Sequence, residues 1–567
     1  MTAPVSFDVR QIPFSIRGSW LDLSPVVALH TQADEIHLVS HKNGMHAVLA
    51  LQPVLGRAAV DTAWRATPAA LTWRATDGAE VTAAFDGISA VRIRGAGLGL
   101  RLSDASSALT PFTGTYLFED PVDDALVFTS YETGRRYRVT ALTGDLHREG
   151  DQALGRADRA VVAGADGRPW EIVVQETTAA APPYSSDRSF DDVVAVARGA
   201  FEEYVEAVAP WPSDTVPAAG LAAYVLWSAT VAPEGFLRRE SVLMSMHWMD
   251  KLWSWDHCFN ALALAGGLPD LALDQFRAPF DHQDETGALP DSVTHSEVLY
   301  NYVKPPIHGW TLRRLRATLA RPLTTAELTD IYDHLARWSR FWLDRRRRPG
   351  HELPYYQHGN DSGWDNATTF DLDRVVEAPD LAGFLAIQLE VLADLADELG
   401  RPADDWKRAR DQLLDALLGQ LWTGESFVAV GATSGTPSTD SSLLNLLPLV
   451  LGDRLPQQVR DALAERLVEH LTAYGPATEP VTSAHYESDG YWRGPIWAPS
   501  TALVEDGLRA CGYADLADTV NERFRRLCEQ SGFAENFDAV TGEGLRDRAY
   551  TWTAAVYLLF AADAVGR

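Results

Sequence analysis

The residues able to do chemistry fall in five short stretches. Residues 357–370, Gln-His-Gly-Asn-Asp-Ser-Gly-Trp-Asp-Asn-Ala-Thr-Thr-Phe, crowd polar groups and two glycines around Asp365 with neither helical nor strand period. A long irregular polar loop is costly unless solvent, a ligand or function supports it, so Asp365 is taken as the centre of a candidate active site. The bland reading is an Asx-rich turn in which Asp365 caps the next helix. Residues 252–259, Leu-Trp-Ser-Trp-Asp-His-Cys-Phe, set Asp256 directly after Trp253 and Trp255. A carboxylate flanked by aromatics can grip two adjacent sugar hydroxyls while the rings stack; the competing reading is an N-cap beside core tryptophans. Residues 282–291, His-Gln-Asp-Glu-Thr-Gly-Ala-Leu-Pro-Asp, are followed by Lys304-Pro-Pro-Ile-His-Gly-Trp. They offer Gln283 and His308 as hydrogen-bonding groups, although a lone histidine is more often structural. Tyr491-Trp-Arg-Gly-Pro-Ile-Trp supplies Arg493, a fixed cation, and Trp497, or else simply enters a helix with Pro near its first turn. Glu535 lies in the loop Gly532-Phe-Ala-Glu-Asn-Phe-Asp-Ala-Val-Thr-Gly-Glu-Gly, where Asp538 and Glu543 serve the turn around Thr541-Gly542.

Other reaction types do not find their parts. Gly-x-Ser-x-Gly, a P-loop, a dinucleotide fingerprint, HExxH and paired CxxC are absent. Carboxylates, Trp, Arg, Gln and His in loops are the inventory of carbohydrate chemistry. Glycosidic cleavage needs two carboxyl groups, a proton donor to the leaving oxygen and a partner acting on water or on the anomeric carbon. Asp365 and Glu535 are the natural pair if the fold closes their loops together.

The elements that must do so change character along the chain. Residues 1–180 read as strands, among them Glu35-Ile-His-Leu-Val-Ser, Leu71-Thr-Trp-Arg-Ala-Thr, Ala90-Val-Arg-Ile-Arg-Gly, Ala125-Leu-Val-Phe-Thr-Ser and Trp170-Glu-Ile-Val-Val-Gln, separated by turns such as Asp77-Gly and Asp166-Gly. Many short strands without intervening helices predict a β-sandwich. Residues 178–188 form a linker. Ser189 with Asp192 then opens a helix, as does Thr324 with Glu327. Residues 189–567 read as about a dozen helices, with stretches near 218–230, 256–265, 379–399, 404–420, 440–451, 456–472, 498–511, 513–530 and 549–565. Without parallel strands between them, these predict stacked pairs or a closed toroid whose loops surround a central pocket.

Composition narrows the partners. The 567 residues carry a net charge of −29, which repels phosphate backbones and anionic lipid, so nucleic-acid and membrane binding are not expected, while neutral substrates are not penalised. The 18 tryptophans suit stacking on sugar rings, although most Trp in any protein are core. Three cysteines, Cys258, Cys511 and Cys528, show neither a disulfide framework nor metal-ligand spacing, and no cofactor is expected. The first residues lack a signal-peptide pattern and no stretch is long and apolar enough for a membrane span, which points to the cytoplasm.

Taken in order, Ser-Gly-Trp-Asp-Asn, Tyr-Trp-Arg-Gly-Pro-Ile-Trp and Glu-Asn-Phe-Asp-Ala-Val-Thr-Gly-Glu-Gly resemble the (α/α)6-barrel inverting glycosidases of glycoside hydrolase family 63, to which trehalases and mannosylglycerate hydrolases are related or belong. Trp253-Ser-Trp255-Asp256 is similar to that family's early barrel motif, and the likeness covers roughly residues 215–565. It implies Asp365 as general acid and Glu535 as general base, with Asp256, Trp364, Arg493 and Trp497 lining the subsite of the released sugar. The substrate implied is an α-glucoside or α-mannoside. The chain departs from the family at Ala539, where Pro is frequent, and at Asn536, where a second aromatic is. A sugar phosphorylase on a similar barrel, an epimerase using His257, His282, His308 or His358, and a non-catalytic sugar-binding protein are the competing readings.

Overall fold

The computed structural model describes residues 5–106, 115–155, 157–180, 182–212 and 214–566. Ala181, in the expected linker, lies outside the described residues. The chain folds into two compact units, one of Met1–Ser213, Ala223–Lys251 and Thr294–Glu297, the other of Asp214–Ala222, Leu252–Val293 and Val298–Arg567. The change of pattern at 180–189 is therefore one of secondary structure. The helix Phe190–Val208 lies wholly in the first unit.

The first unit holds two antiparallel sheets. One runs in the order Leu21–Ala28, Thr31–Ser40, His46–Leu55, Gly99–Asp104, Ala160–Ala163, Leu146–Glu149, with Ala58–Ala59 on the third strand. The other runs Tyr116–Glu119, Leu126–Thr129, Arg136–Thr143, Trp170–Thr177, Ala90–Ala96, Glu80–Phe85, Ala70–Arg74, Ala63–Thr67. Period-two patterning turns Leu71 and Trp73 inward while their neighbours stay partly exposed. Leu23, Ile36, Leu38 and Leu51 of one sheet share a core with Trp73, Ile93, Phe128 and Ile172 of the other. The helix Phe190–Val208 opens on the capping box expected at Ser189 and Asp192, an arrangement that contributes about 1 kcal/mol.

The second unit is helical. Asp256–Leu264, His308–Thr318, Pro379–Glu398, Leu443–Arg454, Ala498–Ala510 and Thr551–Ala564 form a closed ring, each packed on the next and the last on the first. Outer helices back this ring: Pro269–Arg277, Thr325–Arg340, Asp404–Ala416, Gln457–His470 and Ala514–Ser531. The two layers differ in sequence as their surroundings require. Pro379–Glu398 buries residues on every side, whereas Thr325–Arg340 buries the stripe of Leu328, Ile331, Leu335 and Trp338. Leu443–Arg454 is a 3-10 segment that carries Pro448 inside it and kinks at Gly452, whose φ is 60°. Among the described residues the three cysteines are free and buried, and no helix is long and apolar enough to cross a membrane.

Candidate active site

The stretch around Asp365 is irregular, as expected, but firmly tied. It contains one helical turn, Gly359–Ser362, and the next helical element, Thr368–Phe370, is capped by Ala367, so Asp365 is not a helix cap. Asp361 is the fastening. Its carboxylate accepts from the backbone N–H of Val303 at 3.1 Å and of Gln357 at 2.8 Å, and from Arg346 at 2.7 Å. Beyond Asp365, the Asn366 amide accepts from Trp492 N at 3.0 Å and donates to Gly490 O at 3.0 Å, while Arg493 Nε donates to Asn366 O at 2.9 Å. Gly363 has φ 76°, and a Cβ there would stand 2.6 Å from the Trp255 ring, so the loop requires glycine at this point.

Asp365 keeps a partly exposed edge, but burial pushes its pKa up, opposed by Lys304 and helped by Asp291. Lys304 is itself buried, paired with Asp291 at 3.0 Å, and donates to Asn360 O at 2.7 Å. Asp256 joins this group. It is the first residue of its helix, after an N-cap at Trp255, and makes no side-chain cap. Burial pushes its pKa up to about 8, against the pull of Lys304, with Asp365 and Asp291 adding to the rise. A short sheet explains the meeting: Leu252–Trp253 pairs with Ser292–Val293, which sets Asp256 beside Asp291.

Glu535 sits on the return from the helix Ala514–Ser531 to the helix Thr551–Ala564. Its N–H donates to Asp547 O at 2.7 Å, and the following Phe537 exchanges backbone bonds with Ile496 at 2.8 and 3.0 Å. Asp538 accepts from the N–H groups of Val540 and Thr541, as its turn role predicts. The Glu535 side chain is buried, and neither carboxyl oxygen has a well-formed hydrogen bond among the described residues. Burial pushes its pKa up to about 8, with Asp547 adding and Arg546 and the Tyr491 hydroxyl opposing. The Tyr491 hydroxyl also ties the two halves of the site together. Burial and the charges of both Glu535 and Asp365 hold its pKa well above the usual value, so both carboxyls act on one phenol.

A pile of indoles walls this group. Trp492 and Trp497 stack at 3.9 Å and 6°, Trp364 lies 4.7 Å from Trp492, and Trp552 stands edge-on to Trp255 at 5.9 Å and to Trp497 at 5.5 Å. Trp497 Nε1 donates to Tyr491 O at 2.8 Å.

The structure thus gathers Asp256, Trp255, Trp364, Asp365, Trp497 and Glu535. Trp253 is half-buried in the short sheet, its carbonyl accepting from His257 at 3.0 Å. Arg493 is spent on Asn366 and on an ion pair with Asp371, so it braces the loop that carries Asp365. Gln283 donates to Gly287 O and His334 O at 2.9 and 3.1 Å and its amide oxygen lies 2.8 Å from His334 Nδ1, with no interaction among the described residues that joins it to the group. His308 is fully buried against Phe276 and Phe280, and burial drives its pKa down to about 3. Asp291, Lys304, Arg546 and Trp552 belong to the site without standing out in the sequence, and so do Tyr491 and Trp492, which open a stretch read for its Arg493 and Trp497. Asp291 and Lys304 do end and begin the two stretches that offer Gln283 and His308, which is the one signal that points to them.

Such a site suits acid–base work on a neutral substrate rich in hydroxyls, and carried on a closed ring of paired helices it defines a glycoside hydrolase. The chain belongs to the mannosylglycerate hydrolase MGH1-like glycoside hydrolase family, whose domain matches residues 249–553. This agrees with the likeness of its motifs to family 63. The mannosylglycerate hydrolase of Rubrobacter radiotolerans is 26% identical over 398 residues, which take in 54% of this chain and 89% of the relative. The fold is similar to that of the family 63 mannosylglycerate hydrolase of Thermus thermophilus, solved in complex with Tris and D-glycerate: TM-score 0.53, 20% identity, 59% of this chain and 98% of that one. It is also similar to a bacterial glucoamylase solved in complex with acarbose, with TM-score 0.64 and 11% identity over 100% of this chain and 95% of that one.

Proposed function

We propose that the chain hydrolyses small α-glucosides or α-mannosides, either short oligosaccharides or glycosides such as those of glyceric acid, with inversion at the anomeric carbon. Asp365 is the general acid and Glu535 the general base. The observation that carries this reading is Glu535, a buried carboxyl whose oxygens have no well-formed hydrogen bond among the described residues, acting on the same tyrosine as Asp365, a second carboxyl whose pKa burial raises. Ionised Glu535 takes a proton from a water whose oxygen bonds to the anomeric carbon. The bond to the glycosidic oxygen breaks as Asp365 delivers its proton there. Asp256 holds hydroxyls of the sugar to be released, the indoles of Trp255, Trp364 and Trp497 exclude water, and Lys304 keeps the surrounding carboxyls from repelling one another. Gln283, His308 and Arg493 act from behind as supports. In this reading the helical ring is an (α/α)6 toroid, the sheets of the first unit form a β-sandwich, and the enzyme works in the cytoplasm, in keeping with its free buried cysteines.

Proton NMR of the protein with a panel of α-glucosides and α-mannosides, glycerate conjugates included, tests this in the first minutes of reaction. A β-anomer appearing first supports inversion, and the fastest panel member identifies the substrate. An α-anomer first overturns the role of Glu535. Asp365→Asn and Glu535→Gln should each lower kcat by roughly 10²–10⁴-fold. Near-normal turnover removes the residue concerned from the scheme.

A further inference from the structure

Two residues beside Glu535 hold a backbone conformation that side chains disfavour: Tyr491 with φ 63° and Arg546 with φ 59°. Glycine adopts that region freely, whereas a residue with a Cβ is strained there. Strain of this kind gathers where geometry serves function. The two side chains also meet. The Arg546 guanidinium lies 4.9 Å from the centre of the Tyr491 ring. One of its nitrogens donates to the Asp489 carboxylate at 2.6 Å and toward the Asn536 amide oxygen at 3.4 Å, and the other points at Asp489 O at 3.4 Å. Asn536 follows Glu535 directly, and Asp489 lies two residues before Tyr491. The guanidinium therefore clips the loop of the base to the loop of the tyrosine that faces it, while Trp497 pins the tyrosine carbonyl.

We propose that Arg546 is a positioning residue for the base: by clasping Tyr491, Asp489 and Asn536 it sets the Tyr491 hydroxyl against Glu535 and places a positive charge beside a carboxylate that must ionise to act. The proposal rests on the reading of Glu535 as general base. Glu535 meets Asp547 and burial, which oppose its ionisation, and Arg546 and Tyr491, which favour it; Tyr550, at the start of the last helix, feels its charge. Asp489 offsets part of the Arg546 charge, so the electrostatic effect is moderate and the clasp supplies the rest.

Arg546→Gly removes both charge and clasp and relieves the strained φ. The variant should unfold at the parent's temperature or above it. Its kcat near neutral pH should fall roughly tenfold or more with KM changed less. The ascending limb of kcat/KM against pH should move up by about half a unit or more. Arg546→Gln, which keeps length and loses charge, should move the limb in the same direction and decides the matter if the glycine variant does not fold. An unmoved limb with parent-like kcat in a folded variant overturns the proposal, and so does a lowered unfolding temperature with an unmoved limb. Glu535→Gln run alongside separates the two claims. If it is active, the base assignment fails; if it is inactive while Arg546→Gly is parent-like, only the role of Arg546 fails.

Discussion

Replacing Glu535 by Gln should make the protein more stable while it removes activity, and the gain should depend on pH in a defined way. In the folded chain burial raises the Glu535 pKa from 4.5 to about 8. The folded state then holds a proton that the unfolded state has released, so the stability the protonated carboxyl contributes is complete below pH 4.5 and is lost as pH rises through about 8. A shift of about 3.5 units, at about 1.36 kcal/mol per unit, is about 5 kcal/mol across that window. Glutamine mimics the protonated acid and does not titrate. Parent and variant should be nearly equally stable at about pH 4.5, the variant ahead by about 3 kcal/mol at about pH 7, and by about 5 kcal/mol above about pH 8.5. Urea unfolding followed by tryptophan fluorescence at these three values reads the gap directly. A gap that stays constant with pH, or a variant less stable than the parent at the highest of them, would refute the claim that the carboxyl is held against ionisation. The same shift has a kinetic face, because a base must be ionised: activity should rise with pH through about 8, where an ordinary glutamate is already fully ionised and adds no further slope.

Two further outcomes follow from particular side chains. Gly363→Ala would drive a methyl into the Trp255 ring at a left-handed φ, which should cost about 2–4 kcal/mol and lower kcat with it; a thermal unfolding midpoint equal to the parent's would contradict the described loop. Gln283→Ala should lose about 1–2 kcal/mol of stability from its bonds to Gly287 and His334 yet leave KM within about twofold. A tenfold rise in KM would make Gln283 a substrate ligand after all.

What the sequence discloses and what it hides have physical causes here. The strands at Ala90–Ala96 and Trp170–Thr177, the capping boxes at Ser189 and Thr324, and most helices of the second unit are written in local periodicity, which needs no knowledge of neighbours. The helices Pro269–Arg277 and His308–Thr318 are not legible in that way. The first is only nine residues long, and the second begins after Pro305-Pro306 with a glycine at its second position, so its apolar period is masked. The segment 443–454 is apolar on almost every side, which announces burial but conceals its 3-10 geometry and the kink at Gly452. In the site, Asp256, Asp365 and Glu535 stand out because each is a carboxylate with aromatics close by in sequence, Asp256 at the start of a helix and the other two in loops. Which end of a loop faces the pocket is not local information. It depends on the pairing of Leu252–Trp253 with Ser292–Val293, and that pairing brings in Asp291 and Lys304 while Gln283 turns toward His334. Arg546 is invisible for a related reason: a strained φ leaves no mark in the sequence.

The indole pile also has an optical side. Trp492 and Trp497, parallel at 3.9 Å, are near enough for their transition dipoles to couple, and Trp364, Trp255 and Trp552 stand within a few ångströms of them. Light absorbed by any of these rings migrates among them before it is emitted. The near-ultraviolet circular dichroism should therefore carry an exciton signature of the stacked pair, and quenching at one ring should dim the group. The same stacked rings thus form an antenna whose signal should change, without any label, when a ligand settles against them.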